Sequence, residues 1–438
     1  MRDVALALVV FGLLPFVLKR PFLGILMAAW LGYMNPHRLA WGFMQTMPVV
    51  QLVAIATLIG MLMSKEAKRM IWSREVIVLV LFVGWMGVTT TQAFYPIFAI
   101  EQYEKVIKIQ ILTFMALMLL TSRERVHAFV WVIAMSLAFF GIKGGIFTIA
   151  NGGSYRVQGP LGTFIGGNNE LALALVMTIP LLRYLQLQAQ KKNVRIGYGV
   201  AILLTALAAV GSHSRGALLA LFVTGFVFWV KSRHKLATAI MVLVAAIATI
   251  SIMPAEWYER MSTIKTYQED QSAQGRIDAW LVALEVAKDR VTGGGYEMWQ
   301  QPIFRRYSPT GAGSRDVHSI YFEVLGEHGF IGLLLFLTLL GMTWLKCNSI
   351  IRLAKKNTDL YWARDLAAMV QVSMVGYMSA GAFLGLAYFD YIYHLIMIAV
   401  VVYALVKSPQ VASAVEAPWP EGAFRAALGM APRRSRNA

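Results

Sequence analysis

The sequence predicts an all-α polytopic membrane protein, a bundle of about 12–13 transmembrane helices with one large outer loop. Three observations carry that prediction. Of 438 residues, 58% are hydrophobic and only 14% charged, with a mean hydropathy of +0.59, which lies outside the range of soluble globular chains. Apolar runs long enough to cross about 30 Å of hydrocarbon recur along almost the whole length, and at that segment length only helices satisfy their own backbone groups in lipid. Basic residues cluster at alternate connections from residue 64 onward, so a single orientation accounts for all of them.

The runs fall near 4–18, 22–34, 47–63, 76–94, 105–121, 126–149, 169–187, 196–211, 215–230, 236–253, 318–345, 366–386 and 391–406. The first two are shorter than the roughly 20 residues of a full crossing and read as half-helices or a hairpin. Met1-Arg2-Asp3 and the run behind it have the look of a signal peptide. Without a small-residue cleavage site, and with Lys19-Arg20-Pro21 leading into another apolar run, a retained helix is expected.

The formal charge of +17 would point to nucleic acid in a soluble protein. Here it is local: 65–74, 122–125, 188–195, 231–235, 346–365 and 407–438 hold 22 Lys/Arg against 6 Asp/Glu. Cytoplasmic loops carry that bias, so the charge reports orientation, and no nucleic-acid partner is expected. The single cysteine, Cys347, excludes an intramolecular disulfide and a multi-Cys metal site; it is expected at a cytoplasmic helix end.

Four regions follow: N-terminal helices over 1–253, a large periplasmic loop over 254–317, C-terminal helices over 318–407, and a disordered cytoplasmic tail over 408–438, rich in Ala, Pro and Arg. The loop is too long for a simple connector. Its stretch 277–289 places Trp280, Leu281, Leu284 and Ala287 at helical spacing, which predicts amphipathic helices on the membrane surface. Residues 293–295, Pro302, Pro309, Gly311 and Gly313 mark turns or a mobile section. The chain shows no internal repeat of the kind that marks many transporters.

A chain with this charge bias has few reasons to keep arginines on its outer side, so Arg156, Arg215 and Arg276 stand apart. Arg215, in Ser214-Arg215-Gly216-Ala217, opens an apolar helix at the membrane edge, where an unpaired charge is costly. A guanidinium fork suits phosphate oxygens, and a helix N-terminus adds backbone donors. Together the three can clamp a lipid-linked diphosphate. Against this stands the plain alternative of snorkelling to headgroups, or of pairing with Asp278 or Glu256.

His318 opens the helix that follows the loop. An imidazole titrates near neutrality and can take a proton from a sugar hydroxyl; the competing reading is a helix cap or headgroup contact. Glu323 and Glu327, four apart on one face, can orient groups within the bundle. Weaker candidates are Lys105, Lys108 and Lys143 as added positive charge or snorkelling lysines, and Asn168, with Asn169, as a helix cap or sugar ligand. Arg183 reads as snorkelling, and Tyr388, Tyr391 and Tyr393 as an interfacial belt. His213, Asp316 and His318 lack metal-ligand spacing, so no metal or other cofactor is expected.

Three elements together resemble the O-antigen ligase and polymerase family of bacterial membrane glycosyltransferases. They are Ser214-Arg215-Gly216-Ala217 at a helix start, Gly275-Arg276 in a large loop, and the run from His318-Ser319 to Glu327 and Gly329. The stretch 33–41, Tyr-Met-Asn-Pro-His-Arg-Leu-Ala-Trp, resembles the exosortase-associated O-glycosylation ligase branch. The resemblance implies a GT-C-like enzyme in the bacterial inner membrane with its active site facing the periplasm. Its donor would be an undecaprenyl-diphosphate-linked glycan and its acceptor lipid A-core, or a glycoprotein, with inversion and no metal. Family roles carry over to Arg215, Arg276 and His318; Arg156 is a physical extension. A polymerase using the same donor is the nearest rival and a lipid or glycan transporter a more distant one. The sharpest expectation is that Arg276 folds back over Arg215 and that His318 faces the same cavity.

Overall fold

All thirteen apolar runs lie in α-helices in the computed structural model, which describes residues 1–66, 68–231, 235–262, 271–311, 313–355 and 357–407. The first ten helices are α1 (Arg2–Lys19), α2 (Pro21–Met34), α3 (Val49–Met63), α4 (Arg74–Thr91), α5 (Pro96–Leu119), α6 (Arg123–Ala150), α7 (Asn168–Gln188), α8 (Lys192–Gly211), α9 (Arg215–Lys231) and α10 (Lys235–Ile252). Three shorter or more polar helices follow, α11 (Ala255–Ser262), α12 (Gln271–Asp289) and α13 (Gln301–Tyr307), and then α14 (Ile320–Ala354), α15 (Tyr361–Gly381) and α16 (Asp390–Lys407). The described residues contain no strand. The expected tail over 408–438 falls outside them.

Among the described residues six helices, α4, α6, α7, α8, α14 and α16, are each long and apolar enough to cross a membrane, and α2 and α3 are shorter apolar helices. The protein is therefore an all-α polytopic membrane protein. Helix α5 starts nine residues before its apolar run because Glu101, Glu104, Lys105 and Lys108 form a polar first half; Glu104 and Lys108 pair at 3.3 Å across one turn, a spacing that supports a helix without apolarity. Only Arg20 separates α1 from α2, whose first residue is Pro21, where a missing N–H costs nothing. Val10, Val17, Leu31, Val49 and Val53 bury these two helices and α3 in a separate apolar cluster. The main core joins α2 and α4–α9 to α14–α16.

Three packing details depart from the sequence reading. Tyr388, Tyr391 and Tyr393 form no interfacial belt: all three are buried, with hydroxyls bonded to Glu327 Oε2 at 2.6 Å, Met177 O at 3.3 Å and Ala387 O at 2.9 Å. Cys347 is buried within α14, short of its end. In α12 the buried face is Ala279, Val282, Ala283, Val286 and Ala287, a rotation away from the Trp280, Leu281 and Leu284 stripe. The smaller residues face inward because α12 packs against α14, where close approach favours small side chains.

Helix α14 is two helices joined at Gly329, whose φ of 66° is left-handed. The break frees carbonyls that lipid cannot satisfy. The glycine turn 293–295 takes up two of them: Gly294 N–H donates to Gly326 O at 2.8 Å and Gly295 N–H to Glu327 O at 2.9 Å. Trp85 Nε1 donates to the third, His328 O, at 2.9 Å. A Cβ on Gly329 would collide with the Val291 carbonyl. Gly329→Ala is expected to destabilise the protein by about 2–4 kcal/mol, read as a lowered thermal midpoint in detergent; an unchanged midpoint contradicts the assigned backbone.

Candidate active site

The site grows from the turn between α8 and α9. Ser212 and Ser214 flank His213, which adopts a left-handed φ of 58°, and Ser214 Oγ caps α9 by accepting from Ala217 N at 3.3 Å. Three separate elements pin the turn. His213 Nε2 bonds Gly153 O at 2.8 Å, Asn168 Nδ2 donates to Ser212 O at 2.8 Å, and Arg260 Nε donates to His213 O at 2.9 Å. Burial holds the His213 imidazole below its ordinary pKa, with the charges of Arg156 and Arg260 acting the same way and the Gly153 carbonyl acting against them. It therefore serves the turn as a neutral group.

That pinned turn sets the direction of Arg215. The guanidinium-bearing residues Arg215, Arg260 and Arg276 line one polar pocket of about 50 Å³, together with Asn169, Ser214 and the α15 end at Ala380, Phe383 and Leu384. Arg276 arrives from α12 and Arg260 from α11. Arg315 packs across Gly275, where a Cβ would meet its side chain, so a fourth cation stands beside Arg276. Asp278, two residues on, is buried and accepts from Ser308 Oγ at 2.9 Å and Thr310 Oγ1 at 2.7 Å. Three guanidinia meet around one small space, and guanidinium forks match phosphate oxygens in geometry.

His318 does not line this pocket. It is one-third exposed, with φ 43° and Nδ1 3.6 Å from Asp316 Oδ2. The link between them is aromatic. Trp280, one turn after Arg276, donates from Nε1 to Val317 O at 2.9 Å, stacks on Phe322 at 5.0 Å, and meets Phe383 of the pocket at 6.4 Å. Ile320, two residues after His318, fills the space over Gly381 at the end of α15. The structure thus brings Arg215 and Arg276 to one pocket, and the Trp280 stack ties Val317, the residue before His318, to Phe383 of that pocket.

The remaining candidates are distributed elsewhere. Arg156 is exposed on the loop after α6, near enough to act on His213 but outside the pocket. Lys108 pairs with Glu104, and Lys143 is exposed on α6. Lys105 lines a different, larger cavity. Asn168 caps no helix of its own: α7 has Gly167 at its N-cap, and the amide secures the α8–α9 turn. Glu323 accepts from Ala387 N at 2.9 Å, and Glu327 from Glu297 N and Trp299 Nε1, both at 3.1 Å, and from Tyr388. Both carboxyls hold loops in place around α14. Arg260 and Arg315 escaped the sequence reading. For Arg260 the available signal was a basic residue one turn after Trp257 in a helix opened by Pro254.

The fold and the site together define a helical membrane bundle in which one arginine at a helix start and two from the helices of the largest loop line one pocket. Residues 200–337 match the O-antigen ligase family, and residues 1–191 match a family of unknown function. No curated protein matches the chain. Over residues 200–337 the chain is therefore similar to the O-antigen ligase family. The matched segment contains Arg215, Arg260, Arg276 and His318.

Proposed function

We propose that this protein is an O-antigen ligase of the bacterial inner membrane. It transfers a glycan from undecaprenyl diphosphate to the lipid A-core of lipopolysaccharide on the periplasmic face, with inversion at the anomeric carbon. The observation that supports the reading best is the convergence of Arg215, Arg260 and Arg276 on one pocket within the family-matched segment.

The donor diphosphate lies against those guanidinia while its prenyl chain stays in lipid. As the bond from the anomeric carbon to the diphosphate breaks, charge grows on the departing oxygens, and fixed cations stabilise it more than they stabilise the bound donor. Their countercharge, together with a leaving group that is already good, removes the need for a metal or a separate acid. The acceptor hydroxyl attacks from the opposite face and gives its proton to His318. Arg156 and Arg315 add field without contacting the transferred group.

The test is reconstitution of purified protein with undecaprenyl-diphosphate glycan and, in parallel, lipid A-core, a candidate glycoprotein acceptor, or donor alone. Glycosylated lipid A-core is the expected product. Elongated lipid-linked chains from donor alone would identify a polymerase, and a modified protein a protein O-glycosylation ligase.

A further inference from the structure

A second cavity lies apart from the arginine pocket. It has a volume of about 460 Å³ between α2, α5, the turn 162–165 and the start of α16, within the range of small-molecule sites. Apart from Phe389, Asp390 and His394, every residue lining it lies within 1–191, the segment matched to a family of unknown function.

Its shape follows from how α2 ends. Asn35 takes a left-handed φ of 48° and donates from Nδ2 to Gly32 O at 2.6 Å, an asparagine C-cap that Pro36 then makes final. The chain turns back, so that His37 and Arg38 join the cavity wall. Arg38 and Lys105 are exposed, whereas Ile25, Ala28, Ile109 and Leu112 supply an apolar wall. His37 is only 8% exposed, and its Nδ1 has no hydrogen-bond partner among the described residues. Burial first, and Arg38 second, hold that imidazole below its ordinary pKa, so it stays neutral with a ring nitrogen to offer. Asp390 adds one carboxyl against the two cations.

We propose that this cavity binds an anionic amphiphile, a lipid phosphate whose chain lies along Ile25, Ala28, Ile109 and Leu112 and whose phosphate meets Arg38 and Lys105. His37 and Asp390 take hydrogen bonds from headgroup hydroxyls. An unpaired buried polar atom is costly, and a hydroxylated headgroup relieves that cost where a bare chain does not. The apolar wall disfavours free phosphate, and the paired cations disfavour a neutral lipid. The site stands independently of the transfer reaction proposed above, but it adjoins it. Ile165 lines this cavity and Asn169 the arginine pocket, and four residues of chain span at most about 14 Å.

Native mass spectrometry of the full chain, released from detergent with undecaprenyl phosphate, phosphatidylglycerol or phosphatidylcholine, tests the proposal. One retained anionic lipid per chain is expected, and whether the prenyl or the acyl phosphate is retained identifies its source. The double variant Arg38→Gln/Lys105→Gln should reduce retention at least tenfold, Gly32→Leu should do so by filling the cavity, and Lys143→Gln, on an exposed residue of α6 that lines neither pocket, should leave it unchanged. Elution and thermal midpoint of the exposed-charge double variant establish that it is folded. Retention that is equal for phosphatidylcholine, unaffected by the double variant, or abolished by Lys143→Gln overturns the proposal.

Discussion

Replacing His318 with Asn is expected to lower glycan transfer by roughly two to four orders of magnitude, the scale of general-base catalysis, with donor binding kept. Asn suits the test because His318 has a φ of 43°, and Asn tolerates left-handed backbone better than Ala does. The loss is then chemical and not conformational. Single-turnover rates with saturating acceptor provide the measurement, and near-wild-type transfer by a folded His318→Asn protein would sink the role given to the imidazole. A rate restored by raising the pH would also be informative, since a more ionised acceptor needs less help from a base.

Arg215→Ala and Arg276→Ala should each reduce transfer by about 10²–10³-fold, the usual cost of one donor aimed at developing charge. Because both line one pocket of about 50 Å³, the double variant should fall well short of the product of the two single effects, as residues acting as a unit do. The same cycle with Arg156→Ala should be close to multiplicative, because Arg156 lies outside the pocket. Strict multiplicativity for Arg215 with Arg276 would mean that the two guanidinia do not share a substrate group. Lysine at either position should rescue only in part, since an ammonium cannot reproduce the planar fork.

How much of this was legible follows from the kind of signal each feature leaves. Helix positions were legible because crossing a bilayer demands long apolar runs, and Arg215 because a charge at the start of such a run is conspicuous. Arg260 was not, since its significance rests on the backbone oxygen of His213, forty-seven residues away. Gly329 follows Glu327 and His328 in a helix that the sequence shows no reason to stop, and only the glycine turn 293–295 that receives its freed carbonyls explains the break. Tyr388, Tyr391 and Tyr393 have the same composition in a belt or in a core; the hydroxyl partners decide, and those come from α7, α14 and the loop before α16. The early start of α5 was hidden for the opposite reason, because Glu101, Gln102 and Glu104 separate its opening residues, Pro96 to Ile100, from the long apolar run.

The divided α14 also bears on how the sequence can vary. An unbroken helix transmits register, so a single inserted residue turns everything beyond it by about 100°. At Gly329 that transmission stops, because residues 320–328 are oriented by the glycine turn, Trp85 and the carboxyl contacts of Glu323 and Glu327. Residues 330–354 can therefore be lengthened or shortened to suit a thicker or thinner bilayer without rotating the segment that carries His318.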